Sequence, residues 1–205
     1  MPKLGMEPIR RDALVKATIT EIGRAGSLDV TVSQIAKRAG VSSGLAHHYF
    51  GSKEQIFVAA MRHILSVYGA QVRAALTLAK GPRERLEAII RASFEAGNFR
   101  SEVISAWMNF YVQAQTSEGA RRLLQLYQAR LRSNLIHDLR PLVGAAASEM
   151  AANIAALIDG LYIRHALRDS KPDGQRASER VLACLEMMLS DHLCSENIPA
   201  GGMKP

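Results

Sequence analysis

The sequence predicts an all-α protein of about nine helices. Three observations carry this: Ala, Leu, Ile and Arg dominate while aromatic residues make up only 5% of the chain, apolar residues recur at spacings of three and four, and glycine and proline punctuate those stretches. No stretch alternates apolar and polar residues as a half-buried strand would. At 205 residues the chain is long enough for a small head and one larger core.

Residues 1–8 (MPKLGMEP), with two prolines and a glycine, read as a flexible arm. A first helix is expected over about 8–25, with Ile9, Leu14, Ala17, Ile19 and Ile22 as its apolar stripe and Gly26 as its stop. In TVSQIAKRAG, Thr31 stands as N-cap with Gln34 three residues on, the spacing of a capping box, and Val32, Ile35, Ala36 and Ala39 form the buried face. Gly40 closes that helix and Ser42 caps the next, SSGLAHHYF. Two short helices joined by a glycine turn make a helix-turn-helix, so residues 9–52 form the head. Ser52 then opens a helix of about 26 residues, nearly 40 Å long at 1.5 Å per residue, ending before Gly81 and Pro82. Further helices are expected near 83–98, 102–115, 118–140, 147–168 and 174–194, interrupted at Gly97 and Asn98, Thr116 and Ser117, Pro141 and Gly144, and residues 171–174. Residues 53–195 form the larger domain, and 196–205 an expected disordered tail.

The net charge is +7, and over residues 1–62 nine Lys and Arg face five Asp and Glu. Basic charge is therefore denser at the head, as a polyanionic partner requires. Cys184 and Cys194 lie too far apart along one expected helix to bridge, and are read as free thiols. No N-terminal stretch joins a basic segment to an uninterrupted apolar run, and none reaches the ~18 apolar residues of a membrane span; a cytoplasmic protein with no membrane partner is expected. A Gly-rich phosphate loop, a Ser-His-Asp set and a metal-spaced His/Cys cluster are all lacking, which points away from an enzyme and from any cofactor or metal.

Short helix, glycine turn, short helix, aromatic pair and Ser-Lys suit DNA on physical grounds. Ser43, Gly44 and Ala46 keep the second helix slim, so its backbone can approach the major-groove floor, and its unpaired first-turn N–H groups suit phosphate oxygens. The run TVSQIAKRAGVSSGLAHHYFGSKEQIF resembles the signature of the TetR family of transcriptional repressors, over about residues 9–62. That resemblance implies that Thr31, Ser42, Tyr49 and Lys53 approach phosphates, that Ser43, Leu45 and His47 face bases beside Gly44, and that Ile35 and Phe50 are core. The sequence departs from the family at His47, where many members carry Tyr, and at Leu45, where many carry a polar residue; these two leave individual base contacts open. His47 and His48 also have a plainer reading as surface residues, Tyr49 as packing, and Ser42 as a cap alone.

The opening MPKLGMEPIRR, SAWMNFYVQA at 105–114 and AALIDGLYIR at 155–164 resemble a narrower group within the family: choline-responsive repressors of glycine betaine synthesis. A quaternary ammonium donates no conventional hydrogen bond, so a site must surround it with aromatic faces and often a carboxylate. Trp107, Phe110 and Tyr111 fall at i, i+3 and i+4 on one side of a helix, Tyr127 on the next helix could complete the wall, and Asp159, embedded in apolar sequence, is costly to bury unless a cation sits beside it. The same stripe equally suits core packing, and Asp159 equally suits an ion pair with Arg130 or Arg164, or a bond across a dimer interface. The last two helices, with small residues at Ala151, Ala155 and Gly160, are expected from the resemblance to form a four-helix homodimer interface. A two-fold dimer implies an inverted-repeat operator in double-stranded DNA. The function expected is a DNA-binding repressor answering choline; a repressor of this fold answering an aldehyde or lipophilic drug, and a non-specific DNA-coating protein, are the other readings.

Overall fold

The computed structural model describes residues 5–167 and 171–196, and every regular element among them is helical. The helices are α1 (Met6–Ala25), α2 (Val32–Arg38), α3 (Ser43–Phe50), α4 (Lys53–Leu78), α5 (Pro82–Ser93), α6 (Ser101–Gln113), α7 (Glu118–Val143), α8 (Ala147–Ala166) and α9 (Gly174–Glu196). Residues 1–4 of the expected arm and 197–205 of the expected tail lie outside the described residues.

Several boundaries differ from expectation. Helix α1 starts at Met6, so residues 6–8 are not part of an arm. Pro8 sits in the first turn, where N–H groups have no partner inside the helix and its missing one is not needed; Glu7 in the same turn pairs with Arg11 at 3.0 Å. Helix α5 stops at Ser93 rather than near 98. Asn98 folds back there, its Nδ2 donating to the Ala92 carbonyl at 2.8 Å, which satisfies one of the helix's last acceptors. Helix α7 runs through Pro141 to Val143: the ring removes one hydrogen bond, and the Gly144 N–H closes on the Arg140 carbonyl to end the helix. Glu196 belongs to α9, not to a tail.

In the head, the capping box of α2 is formed: Thr31 Oγ1 accepts the Gln34 N–H at 3.2 Å and Gln34 Oε1 accepts the Thr31 N–H at 2.7 Å. Gly40 turns the chain with φ of 68°, a conformation that favours glycine. Leu14, Ile35, Ala46 and Ile56 are buried at the centre where α1, α2, α3 and α4 meet. Helix α1 also crosses α6 very closely. A Cβ on Gly23 would stand 2.6 Å from Glu102 Cα, and Asn109 Nδ2 reaches the Gly26 carbonyl at 3.4 Å.

Helices α4 and α7 run in the same direction. Ser117, the cap of α7, hydrogen-bonds Glu54 in the first turn of α4, and further along the Tyr68 and Tyr127 rings stand 6.0 Å apart. The region from Glu118 to Ala166 contains an 18-residue window of mean hydropathy 1.4, long and apolar enough by composition to cross a membrane, contrary to expectation. Only 28% of that window is buried within the chain; elsewhere on α8, whose inner side packs on α6, α7 and α9, Ile163 faces outward, as does Leu167 just beyond the helix. Ala151 is fully buried in its own chain rather than offered to a second copy, whereas a Cβ on Gly160 would meet open space.

Candidate DNA-reading and effector sites

Helix α3 exposes Gly44, His47 and His48, buries Ala46, and leaves Ser43, Leu45, Tyr49 and Phe50 half-buried. Nothing lies within 4 Å of where a Cβ on Gly44 would stand, so bare backbone is exposed on this face of α3. Ser42 Oγ accepts the Leu45 N–H at 3.2 Å, and its own O–H has no acceptor among the described residues. Ser43 Oγ meets Ser33 Oγ at 3.1 Å and ties α2 to α3. His47 Nδ1 lies 3.2 Å from the Gly51 carbonyl, which can only accept, so Nδ1 carries the proton.

Thr31 is exposed but engaged: besides capping, its hydroxyl donates to Gln34 Oε1 at 2.9 Å, so it fixes the start of α2 rather than offering a free proton. Lys53 stands at the first position of α4 with Nζ 5.5 Å from the centre of the Phe57 ring. Sequence reasoning missed Arg11. Its guanidinium donates to the Tyr49 carbonyl and stands 5.5 and 5.0 Å from the centres of the Tyr49 and Phe50 rings, holding the end of α3 against α1. The charge was visible in the sequence; its direction across 38 residues was not.

In the larger domain, α4, α6, α7 and α8 converge on an aromatic cluster. Trp107 is 5% exposed and lies 4.8 Å, centre to centre, from Tyr127 and 5.7 Å from Tyr111. The Tyr111 hydroxyl donates to Asp159 Oδ1 at 3.1 Å. Neither Arg130 nor Arg164 pairs with Asp159, and Tyr111 is its one hydrogen-bond partner among the described residues. Burial pushes the Asp159 carboxyl above the ordinary carboxylate range, with the Tyr111 hydrogen bond opposing. Burial also raises Tyr68, Tyr111, Tyr127 and Tyr162, and the nearby Asp159 charge raises each further. One carboxylate thus lies within electrostatic reach of four neutral phenols.

Tyr68 and Tyr162 are site residues that sequence reasoning did not single out. The Tyr162 hydroxyl donates to the Ser93 carbonyl at 2.5 Å, and the Tyr68 hydroxyl meets Ser93 Oγ at 3.2 Å. Tyr162 carried a usable signal, three residues after Asp159 and so on the same side of α8; Tyr68 carried none. The space among Tyr68, Trp107, Tyr127 and Tyr162 measures about 10 Å³, room for one water. Of the expected site residues, Phe110, Tyr111 and Asp159 do not line it; the Phe110 side chain is 1% exposed and meets Trp107 edge on at 5.9 Å. Residues 110 and 111 diverge by about 100° around the helix, so Tyr111 reaches Asp159 while Phe110 fills core behind the wall.

Residues 14–60 match the pattern of bacterial regulatory proteins of the tetR family, and residues 82–190 match that of the BetI-type transcriptional repressor C-terminal domain. The HTH-type transcriptional regulator BetI of Brucella suis is 49% identical over 198 residues, covering 96% of this chain and 100% of that protein. The chain belongs to the TetR family. The BetI of Agrobacterium fabrum is 48% identical, covering 88% of this chain and 98% of that protein. Solved TetR-like structures share the fold. A transcriptional regulator from Pseudomonas aeruginosa PAO1 superposes with TM-score 0.74 at 26% identity, over 89% of this chain and 91% of that one. Another, from Saccharomonospora viridis in complex with choline, superposes with TM-score 0.75 at 22% identity, over 86% of this chain and 95% of that one. As a TetR-family repressor with a BetI-type C-terminal domain, the chain is a transcription regulator and not an enzyme; regulators of the TetR family bind operator DNA as dimers.

Proposed function

We propose that this repressor works in the cytoplasm, answers choline, and controls genes for making glycine betaine from it. The observation that carries the reading is Asp159: a half-buried carboxylate with no cation beside it among the described residues, hydrogen-bonded to Tyr111, whose ring stands against Trp107 and, through it, Tyr127. A trimethylammonium group supplies the missing charge without needing a hydrogen-bond donor. The likeness to BetI relatives and the choline-bound Saccharomonospora viridis structure support this ligand class. Calorimetry with choline and with its uncharged tert-butyl isostere tests it. Saturable binding of choline alone is expected, and equal binding of both would sink the cation reading.

Choline needs more room than one water occupies, so the rings must part to admit it. Trp107 and Tyr111 ride on α6, which meets α1 at Gly23, so that opening displaces the head. The ligand then favours the displaced form by its differential affinity and releases DNA. On the head, Ser42, Tyr49, Lys53 and the capped start of α2 at Thr31 serve phosphates, while Ser43, Leu45 and His47 face bases across the bare Gly44. Lys53→Ala is expected to weaken all duplexes alike and to lower the salt slope by about one. Filter-binding titrations over a salt series check this, and a sequence-dependent loss would contradict a phosphate role.

The homodimer is placed on α8 and α9. Ile163 on α8 and, on α9, Met187 and Leu193, 66% and 55% exposed, present apolar surface that the described residues of their own chain leave uncovered. Met187→Glu combined with Leu193→Glu is expected to yield monomers in sedimentation runs and to reduce operator affinity by more than about tenfold, because one head then reads one half-site. A variant that still sediments as a dimer would move the interface elsewhere.

A further inference from the structure

A groove of about 590 Å³ runs between α4 and α7, a size that suits small-molecule ligands. Its walls are apolar, with Leu65, Val72 and Leu76 from one helix and Leu123 and Leu126 from the other, and Leu126 is 48% exposed. Three arginines stand on its rim: Arg62, Arg73 and Arg130. No Asp or Glu lines the groove, and none of the three guanidiniums is paired with a carboxylate among the described residues.

The shared direction of the two helices orders these groups. With Glu54 beside Ser117 and Tyr68 beside Tyr127, Arg73 and Arg130 fall together beyond the tyrosine pair, and Arg62 falls at the opposite end. From Leu123 to Arg130 the apolar wall extends about 10 Å along α7. A leucine-lined groove that carries two guanidiniums, unpaired with carboxylates among the described residues, beyond its tyrosine pair is complementary to a hydrocarbon chain ending in a carboxylate.

We infer that this groove is a second ligand site, for a linear alkyl carboxylate whose head is held by Arg73 and Arg130. It goes beyond the choline reading, and the two sites sort ligands by charge. Arginines repel a quaternary ammonium from the groove, and Asp159, within electrostatic reach of Tyr68, Tyr127 and Tyr162, repels a carboxylate from among those rings. Tyr68 and Tyr127 line both spaces, so a chain lying in the groove presses on two rings of the cavity and couples the sites through them.

Calorimetric titration of the full-length protein with decanoate, decanol and decyltrimethylammonium below their micellar concentrations tests the proposal. Saturable binding of decanoate is expected, with much weaker binding of decanol and none of the cation. The Arg73→Ala/Arg130→Ala double variant is expected to weaken decanoate by about tenfold or more, the loss of charge-assisted hydrogen bonds, and the Arg73→Lys/Arg130→Lys variant to keep most of the affinity. Absence of decanoate binding, equal binding by the double alanine variant, or decanol binding as tightly as decanoate overturns the site. Choline titrated into the same samples reports the cavity separately: if decanoate binds and choline does not, the choline reading alone falls, and if the double alanine variant loses both, the two are one site and the inference fails.

Discussion

Asp159→Asn is expected to weaken choline binding by at least about tenfold, the scale of removing one partner from a desolvated charge pair, while raising the melting temperature of the ligand-free protein. The two effects have opposite signs for one reason. Burial lifts the folded-state pKa of this carboxyl above its unfolded value, so the folded protein holds the extra proton between those two values, and stability falls as pH rises through that window. At neutral pH the anion is the form that folding disfavours, and asparagine removes that penalty. Choline needs the anion, so wild-type affinity is expected to fall as pH drops through the raised pKa, and binding in that window should release protons. The variant should show neither behaviour. Calorimetry in buffers of different ionisation enthalpy measures the released protons; a wild-type affinity flat with pH, or an asparagine variant that binds choline normally, would take Asp159 out of the site.

Gly23→Ala is expected to destabilise the protein by about 1–3 kcal/mol, the scale of overpacking a tight contact, and to reduce operator affinity even without ligand. The added methyl would lie 2.6 Å from Glu102 Cα, which is backbone rather than a movable side-chain tip. Helices α1 and α6 must part, and that is the displacement assigned to choline. Gly44→Ala is the control for stability, since its methyl meets nothing within 4 Å. Thermal melts and operator titrations of both variants decide the matter. If Gly23→Ala melts and binds operator like wild type, α1 and α6 do not communicate through this contact.

The helix-turn-helix was legible because its determinants are local. Thr31 with Gln34, Gly40 and Ser42 act over three or four residues, and each does in the fold what its spacing announced. The end of α5 was not legible, because it is set by Asn98 reaching back to Ala92 rather than by a glycine or proline at the stop itself. Pro141 misled in the other direction, since packing carries α7 past a residue whose intrinsic preference is to end it. In the aromatic cluster, Trp107, Tyr111, Tyr127 and Asp159 were readable from type and spacing, and they meet. Phe110 shared the pattern but not the direction, and Tyr68 joined from a helix whose own sequence did not distinguish it from core.

Arg11 makes α1 and the carbonyl end of α3 a single mechanical body, since one guanidinium grips the Tyr49 backbone and lies against two adjoining rings. A tilt imposed on α1 is therefore delivered whole to the reading helix instead of being absorbed at a joint. Gly44 and His47, proposed to face bases, make no side-chain hydrogen bond or ring contact with that grip among the described residues, so substitutions there are expected to retarget the protein to new promoters without retuning the lever proposed to answer the effector.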